Sequence, residues 1–180
     1  MPRPFRQTLA VLLFVVASRV GAQGSLIILK KGEATASILS LADGRTTATM
    51  PVGDGPHEIA VSRDGRWAIA ANYGGTTPGN SLTLIDLRTR QAVKTISTGE
   101  YRRPHGIAWL PDGQRVVVTS EVGKAVLIVD AARGTIVKAI PTSVDGTHLL
   151  VLSKDGLRVW TSNIGSGTNS PIEIEKGELI

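Results

Sequence analysis

Three histidines stand at the same place in three similar stretches of the chain, "PHEIAVSRDGRW", "PHGIAWLPDGQR" and "THLLVLSKDGLR". They are His57, His105 and His148, the only histidines of the 180-residue sequence. An imidazole can ligate a metal ion, contact an anion when protonated, or transfer a proton near neutral pH. Such chemistry requires elements that bring the three side chains together.

A fixed register links each histidine to a turn and to a polar residue. Asp-Gly follows seven residues after each histidine, and Asn72, Ser120 or Asn163 stands fifteen residues after it. Successive histidines are 48 and 43 residues apart. A repeat of this length, built from short apolar runs, is typical of propeller blades. The Asp-Gly pairs are Asp64-Gly65, Asp112-Gly113 and Asp155-Gly156.

Each repeat unit predicts four strands and therefore an all-β blade. The first strand runs from the histidine to the Asp-Gly pair, which is a strong hairpin signal because glycine tolerates a positive φ. The second strand follows directly, and the runs 81–86 and 92–96 of one unit predict the third and fourth. These runs are almost continuously apolar, which predicts sheets covered on both faces by neighbouring blades. No helix is predicted after the first 22 residues.

The repeat divides residues 23–180 into four units, of which the first and last are incomplete. The first unit has no counterpart of the strand that begins with histidine, and the last ends just inside its fourth strand. Propellers close with roughly four to eight blades. We therefore expect an incomplete arc of about four blades from a larger, truncated propeller. The units span about 25–53, 54–99, 100–144 and 145–180.

The stretches "PHEIAVSRDGRWAIAAN" and "THLLVLSKDGLRVWTSNIGSG", each followed by a strand like "IVD", resemble the YVTN-repeat β-propellers. The similarity is greatest to the exported YncE-like bacterial proteins and covers nearly all of residues 23–180. It implies the fold but no single activity, since such relatives include cell-surface proteins, nucleic-acid binders and lactonases. This chain departs from the pattern at Ser40, where later units have Asp, and at Pro171, which is expected to remove a ladder hydrogen bond from the last blade.

The first 22 residues have the pattern of a secretory signal peptide. Arg3 and Arg6 precede an apolar run over 9–17, and the small residues Gly21 and Ala22 follow. We expect cleavage after Ala22 and a periplasmic or secreted protein without a membrane span. The alternative is an uncleaved anchor, although the run is short for a bilayer.

Composition excludes several classes of site. The net charge is +5, from 20 basic and 15 acidic residues, and removal of the three arginines of the leader lowers it to +2. The remaining basic residues are scattered, which gives no strong nucleic-acid signal. The sequence has no cysteine, which excludes thiol catalysis, zinc–thiolate sites and iron–sulfur clusters. Motifs of serine hydrolases and zincins are also missing.

The three histidines are predicted to line one rim of the central channel, because each begins the innermost strand of its blade. There they could bind a metal ion or an anionic ligand. Repetition favours the alternative, in which each imidazole orders its blade through a hydrogen bond to a neighbouring carbonyl or carboxylate. We also expect adjacent blades to splay the side chains too far apart for a single ion.

Glu121 breaks the repeat, since the other units have Tyr73 and Ile164 at its position. A residue that departs from a repeat is a better site candidate than one that obeys it. With Arg102, Arg103 and His105, it could form a polar patch at one face, although a solvated loop is the alternative for the "YRR" run. The segment "NYGGTTPGN" is predicted to be a flexible surface loop.

These observations predict an exported propeller that acts as a binding scaffold for a protein or small-molecule ligand. They assign no catalytic residue and no evident cofactor. The alternative is a lactonase-like or other metal-assisted hydrolase that uses a divalent metal at the channel rim.

Overall fold

The computed structural model describes residues 24–180, so the predicted signal peptide lies outside the described residues. Over this range the strands form four antiparallel sheets that follow one another along the chain. The only helical segment of the range is a 3₁₀ turn at Lys31–Glu33. No helix within residues 24–180 has the length and apolarity needed to cross a membrane.

The first sheet has three strands and the other three have four. The first blade contains β1 (Ser25–Lys30), β2 (Thr35–Ser40) and β3 (Thr46–Pro51). The second contains β4 (Pro56–Val61), β5 (Trp67–Gly74), β6 (Pro78–Asp86) and β7 (Gln91–Ser97). The third contains β8 (Pro104–Trp109), β9 (Arg115–Ser120), β10 (Ala125–Asp130) and β11 (Thr135–Pro141). The fourth contains β12 (Thr147–Leu152), β13 (Arg158–Asn163), β14 (Thr168–Glu173) and β15 (Glu178–Leu179).

Every blade is a simple meander in which sequence neighbours pair. The strands that begin the last three blades, β4, β8 and β12, contact one another across the blade boundaries. They are therefore the innermost strands of the arc, and the start of each lies at the same end. The predicted all-β blades are confirmed.

The hydrophobic core lies between the blades. Its three clusters occupy the three blade boundaries, and the middle strands β9 and β10 are buried along almost their whole length. The predicted coverage of both sheet faces is thus confirmed for the central blades. Burial of this apolar surface is the main force that holds the blades in series.

The Asp-Gly turns form as the sequence predicts. The carboxylate of Asp64 accepts hydrogen bonds from the backbone N–H of Arg66, at 3.0 Å, and from the hydroxyl of Ser62, at 2.6 Å. The Ser62 hydroxyl, with the backbone donor, holds the pKa of the Asp64 carboxyl below its usual value. Gly65 has φ +69°, a value that glycine adopts without strain.

The prediction of a flexible loop over 72–80 is wrong. The strands β5 and β6 extend into it and form a hairpin, in which Gly74 pairs with Pro78. Gly74 has φ +87°, and Gly79 lies so close to Gly74 that a side chain would not fit there. The glycines therefore permit an ordered hairpin in this segment, whereas the glycine-rich sequence had led us to predict a flexible loop.

Pro171 does not interrupt the last blade. It lies in β14 opposite Trp160 of β13, and its carbonyl accepts a hydrogen bond from the backbone N–H of Ile180 at 2.9 Å. The blade is a four-stranded sheet despite the missing donor.

Candidate functional site at the inner end of the blades

The three histidines form a row of adjacent rings, each tilted by 42° to the next, at the inner end of the blades. The ring centroids of His57 and His105 are 4.4 Å apart, and those of His105 and His148 are 3.7 Å apart. The prediction that adjacent blades would splay these side chains is therefore wrong. Their position at the start of the innermost strands is as the repeat indicates.

Gly106 explains the close approach of His105 and His148. A Cβ atom at this glycine would lie 2.8 Å from the backbone nitrogen of Leu150 and 3.0 Å from the carbonyl oxygen of His148. The hydroxyl of Thr119 also links the two blades, because it accepts from the Gly106 N–H at 2.8 Å and donates to the His148 carbonyl. Strands β8 and β12 thus approach more closely than any residue with a side chain would allow.

His105 is the central ring of the row and is almost fully enclosed. It is 2% exposed, and neither of its ring nitrogens has a hydrogen-bond partner in the described part of the chain. Burial lowers the pKa of His105 to about 3, and the nearby His148, His57 and Lys31 add to the shift. The imidazole is therefore neutral at pH 7.

A second set of side chains lies at one equivalent position in the four blades. The strand pairing places Ser25, Trp67, Arg115 and Arg158 at equivalent positions, since each faces the last residue of the next strand. The residue six positions after each of these is then also equivalent, and this set is Lys31, Tyr73, Glu121 and Ile164. This position differs in every blade, whereas the histidine recurs.

Tyr73 and Glu121 connect the second and third blades through this position. The Tyr73 hydroxyl lies 3.1 Å from both carboxylate oxygens of Glu121 and donates to them. Burial, together with the Glu121 carboxylate, raises the pKa of Tyr73, so the phenol keeps its proton. The Tyr73 ring also meets the edge of His105, with centroids 5.4 Å apart.

The hydrogen bond expected for each imidazole is present for His148. Its Nδ1 lies 3.1 Å from Oε2 of Glu121, and both side chains are mostly buried. His57 is more exposed, and its Nδ1 is 3.9 Å from the Glu58 carboxylate. Because His105 has no such partner among the described residues, one structural role does not account for all three histidines.

Arg102 and Arg103 lie at the same end, as the predicted polar patch requires. The Arg103 guanidinium carbon lies 4.5 Å from the Tyr73 ring centroid, and the Lys31 ammonium is 5.0 Å from it. The Arg102 side chain is exposed and lies 3.5 Å from the Pro78 carbonyl. Two cations thus contact one aromatic ring, and a third lies at the start of β6.

Two groups of side chains have the composition of a metal site. They are His57, Glu58 and His105, and His105, Glu121 and His148. Within each group, one candidate ligand atom per residue lies within 4.8 Å of the others. The second group is the more buried and is braced by Tyr73.

Comparison with known proteins identifies the blade arrangement. The chain resembles hydrazine synthase of Kuenenia stuttgartiensis with a TM-score of 0.77 and 22% identity, over 93% of this chain and 51% of that one. It is 28% identical over 109 residues to an uncharacterised WD repeat-containing protein of Synechocystis sp.. The chain is a β-propeller repeat protein. Its four sheets form an incomplete propeller, as predicted.

The similarity to hydrazine synthase shows the fold of the propeller alone. The chain spans about half of that chain, and the sequence match covers 60% of this chain and 29% of the Synechocystis protein. No protein-family model matches the sequence.

Sequence reasoning missed two residues of the propeller's candidate site, Lys31 and Tyr73. Tyr73 appeared only as the counterpart of Glu121 in the repeat. Equivalent positions in adjacent blades are spatial neighbours, so the repeat register carried a signal for the contact between the two residues.

Proposed function

We propose that this propeller is an exported binding scaffold that holds a small anion at its histidine end. The observation that carries the proposal is a group of cations at this end: Lys31 and Arg103 contact the Tyr73 ring, and Arg102 lies beside the Pro78 carbonyl. None of the three has a carboxylate within 4.0 Å in residues 24–180. Arg103 Nη2 donates to the Gly75 carbonyl at 3.4 Å. A guanidinium has five N–H donors, so both arginines keep donors for a carboxylate or phosphate.

The acidic residues at this end are engaged elsewhere. Glu121 accepts from Tyr73 and contacts His148, and Asp54 accepts from the backbone N–H of Gly75 at 3.0 Å. Glu58 lies beside His57. The cations are therefore available to an external anion, and no nucleophile paired with a general base accompanies them.

Calorimetric titration with inorganic phosphate and citrate tests the binding proposal. Arg102→Ala should weaken binding about tenfold, as expected for loss of one charge-assisted hydrogen bond. Arg133→Ala is the matched control, because Arg133 is 81% exposed in the turn between β10 and β11 at the opposite end. Equal effects of the two substitutions, or no binding of either anion, would contradict the proposal.

Within the propellers, we assign the chain to the exported YVTN-repeat, YncE-like group. The repeated His and Asp-Gly register and the leader-like residues 1–22 support this assignment. Sequencing of the N-terminus of protein recovered outside the cytoplasm should begin at Gln23. Recovery of chains that begin with Met1 from the cytosol alone would contradict export.

Metal-assisted hydrolysis is the second candidate, and the buried His105–Glu121–His148 group favours it. A lactonase-like enzyme would hydrolyse simple lactones and lose this activity when a chelator removes the metal. The binding scaffold would show no turnover with or without added metal.

A further inference from the structure

His105 is the feature that anion binding leaves unexplained. It is 2% exposed, yet both its ring nitrogens lack a hydrogen-bond partner within residues 24–180. A buried polar group without a partner destabilises the fold, whereas an apolar side chain of similar size would not. A neutral imidazole in this state has a lone pair available to a ligand.

Two further donor groups face the same place. Glu121 Oε2 and His148 Nδ1 are 3.1 Å apart, and the candidate ligand atoms of these two residues and His105 all lie within 4.8 Å of one another. Ligands at the usual zinc distances of about 2.0–2.1 Å are separated by about 3.3 Å in a tetrahedron. The Glu121–His148 separation is close to this value, and the candidate nitrogen of His105 lies within 4.8 Å of both ligand atoms.

The surroundings hold these donors in place. Tyr73 donates to the Glu121 carboxylate, and the Thr119 hydroxyl bonds the backbone of both Gly106 and His148. Hydrogen bonds of this kind orient metal ligands and raise affinity.

We propose that His105, Glu121 and His148 bind one divalent transition-metal ion. Two imidazoles and one carboxylate suit Zn²⁺ and its neighbours in the series, whereas Ca²⁺ and Mg²⁺ require sets of oxygen ligands. Three protein ligands would leave a fourth coordination position for water or a ligand.

The alternative group, His57 with Glu58 and His105, is the weaker candidate. His57 and Glu58 are 36% and 41% exposed, and their nearest atoms are 3.9 Å apart. Water competes for exposed donors, and no described side chain braces Glu58 as Tyr73 braces Glu121. A buried water molecule is the other occupant that the preferred group could hold.

The inference is independent of the anion proposal, because the metal ligands and the cations proposed to contact the anion are different residues, and it supplies the metal that the hydrolase candidate requires. The two proposals fail separately. Phosphate binding without zinc binding would contradict only the metal proposal. Zinc binding without phosphate or citrate binding would contradict only the anion proposal.

Competition between the purified chain and a chromogenic chelator for Zn²⁺ tests the site. The wild-type chain should bind one Zn²⁺, and Glu121→Gln should weaken this binding at least about tenfold. Glu58→Gln is the matched control and should leave the affinity within about twofold of wild type. A urea titration of each variant reports whether it remains folded.

Ring-nitrogen NMR of the wild-type chain gives a test that needs no substitution. Addition of Zn²⁺ should shift the ligating nitrogens of His105 and His148 and leave those of His57 nearly unchanged. Equal loss of affinity in Glu121→Gln and Glu58→Gln, or shifts confined to His57 and His105, would overturn the assignment. Failure to bind Zn²⁺ would also overturn it and leave water as the occupant.

Discussion

The charge state of His105 makes the stability of the fold depend on pH. In the folded protein its pKa is lowered to about 3 from 6.5, chiefly by burial. The unfolded chain therefore binds one more proton than the folded chain between these two values. Stability that is present above pH 6.5 is lost as the pH falls toward 3.

We predict that the metal-free chain loses up to about 1.4 kcal/mol of unfolding free energy per pH unit between pH 6.5 and 4 from this residue. Urea titrations in the presence of chelator measure the slope. His105→Leu should flatten it, because the residue that binds the extra proton is gone. The same slope in both proteins would show that His105 does not control it.

Above pH 4 the slope comes mainly from His105. The pKa values of Asp64, Asp112 and Asp155 are lowered from 3.8, so the acid destabilisation from these groups falls mostly below pH 4. The groups that face His105 are His57 and His148 on the neighbouring innermost strands, with Lys31, Tyr73 and Glu121 at the blade ends.

At the scale of elements, the three Asp-Gly turns look identical in the sequence but differ in their surroundings. Gly65 and Gly113 have φ +69° and +67°, and a Cβ atom on either would meet nothing within 4 Å. Gly156 has φ +74°, and its Cβ would overlap the ring of Pro111 in the preceding blade. The last turn is therefore also a contact between blades.

We predict that Gly65→Ala and Gly113→Ala each cost about 1–2 kcal/mol of unfolding free energy, from the positive φ alone. Gly156→Ala should cost about 1–3 kcal/mol more of unfolding free energy than the other two, because its methyl group overpacks the contact with Pro111. Urea titrations of the three variants compare them directly. Equal losses of unfolding free energy in the three variants would show that the contact between residue 156 and Pro111 adds no destabilisation.

Much of this architecture follows from the repeat. The register of His57, His105 and His148 predicts the inner strands and the end at which the site lies, because equivalent residues occupy equivalent places in stacked units. The close approach of the rings was not predictable in this way. It depends on Gly106, which stands where the other units have Glu58 and Leu149, and on how closely two backbones then approach.

At the scale of the whole molecule, both ends of the arc expose apolar side chains. On the last blade, Leu149, Val151 and Trp160 are 46%, 62% and 37% exposed on the side away from the third blade. On the first blade, Leu26 and Ile28 are 49% and 37% exposed. Contiguous apolar surface of this kind favours association.

We predict that the chain self-associates at the face of the last blade. Sedimentation velocity should show a mass that rises with protein concentration, and Val151→Lys should reduce it by placing a charge in the contact. Val137→Lys is the matched control, because Val137 is 55% exposed on the outermost strand of the third blade. A monomer at every concentration would contradict the prediction.

The position shared by Lys31, Tyr73, Glu121 and Ile164 has a consequence for how the gene can change. Duplication of a blade copies its histidine, but a pair such as Tyr73 and Glu121 arises only when neighbouring copies diverge at this one codon. A single substitution at a blade end can therefore create or remove this contact between neighbouring blades, while the buried strands that hold the blades together remain untouched.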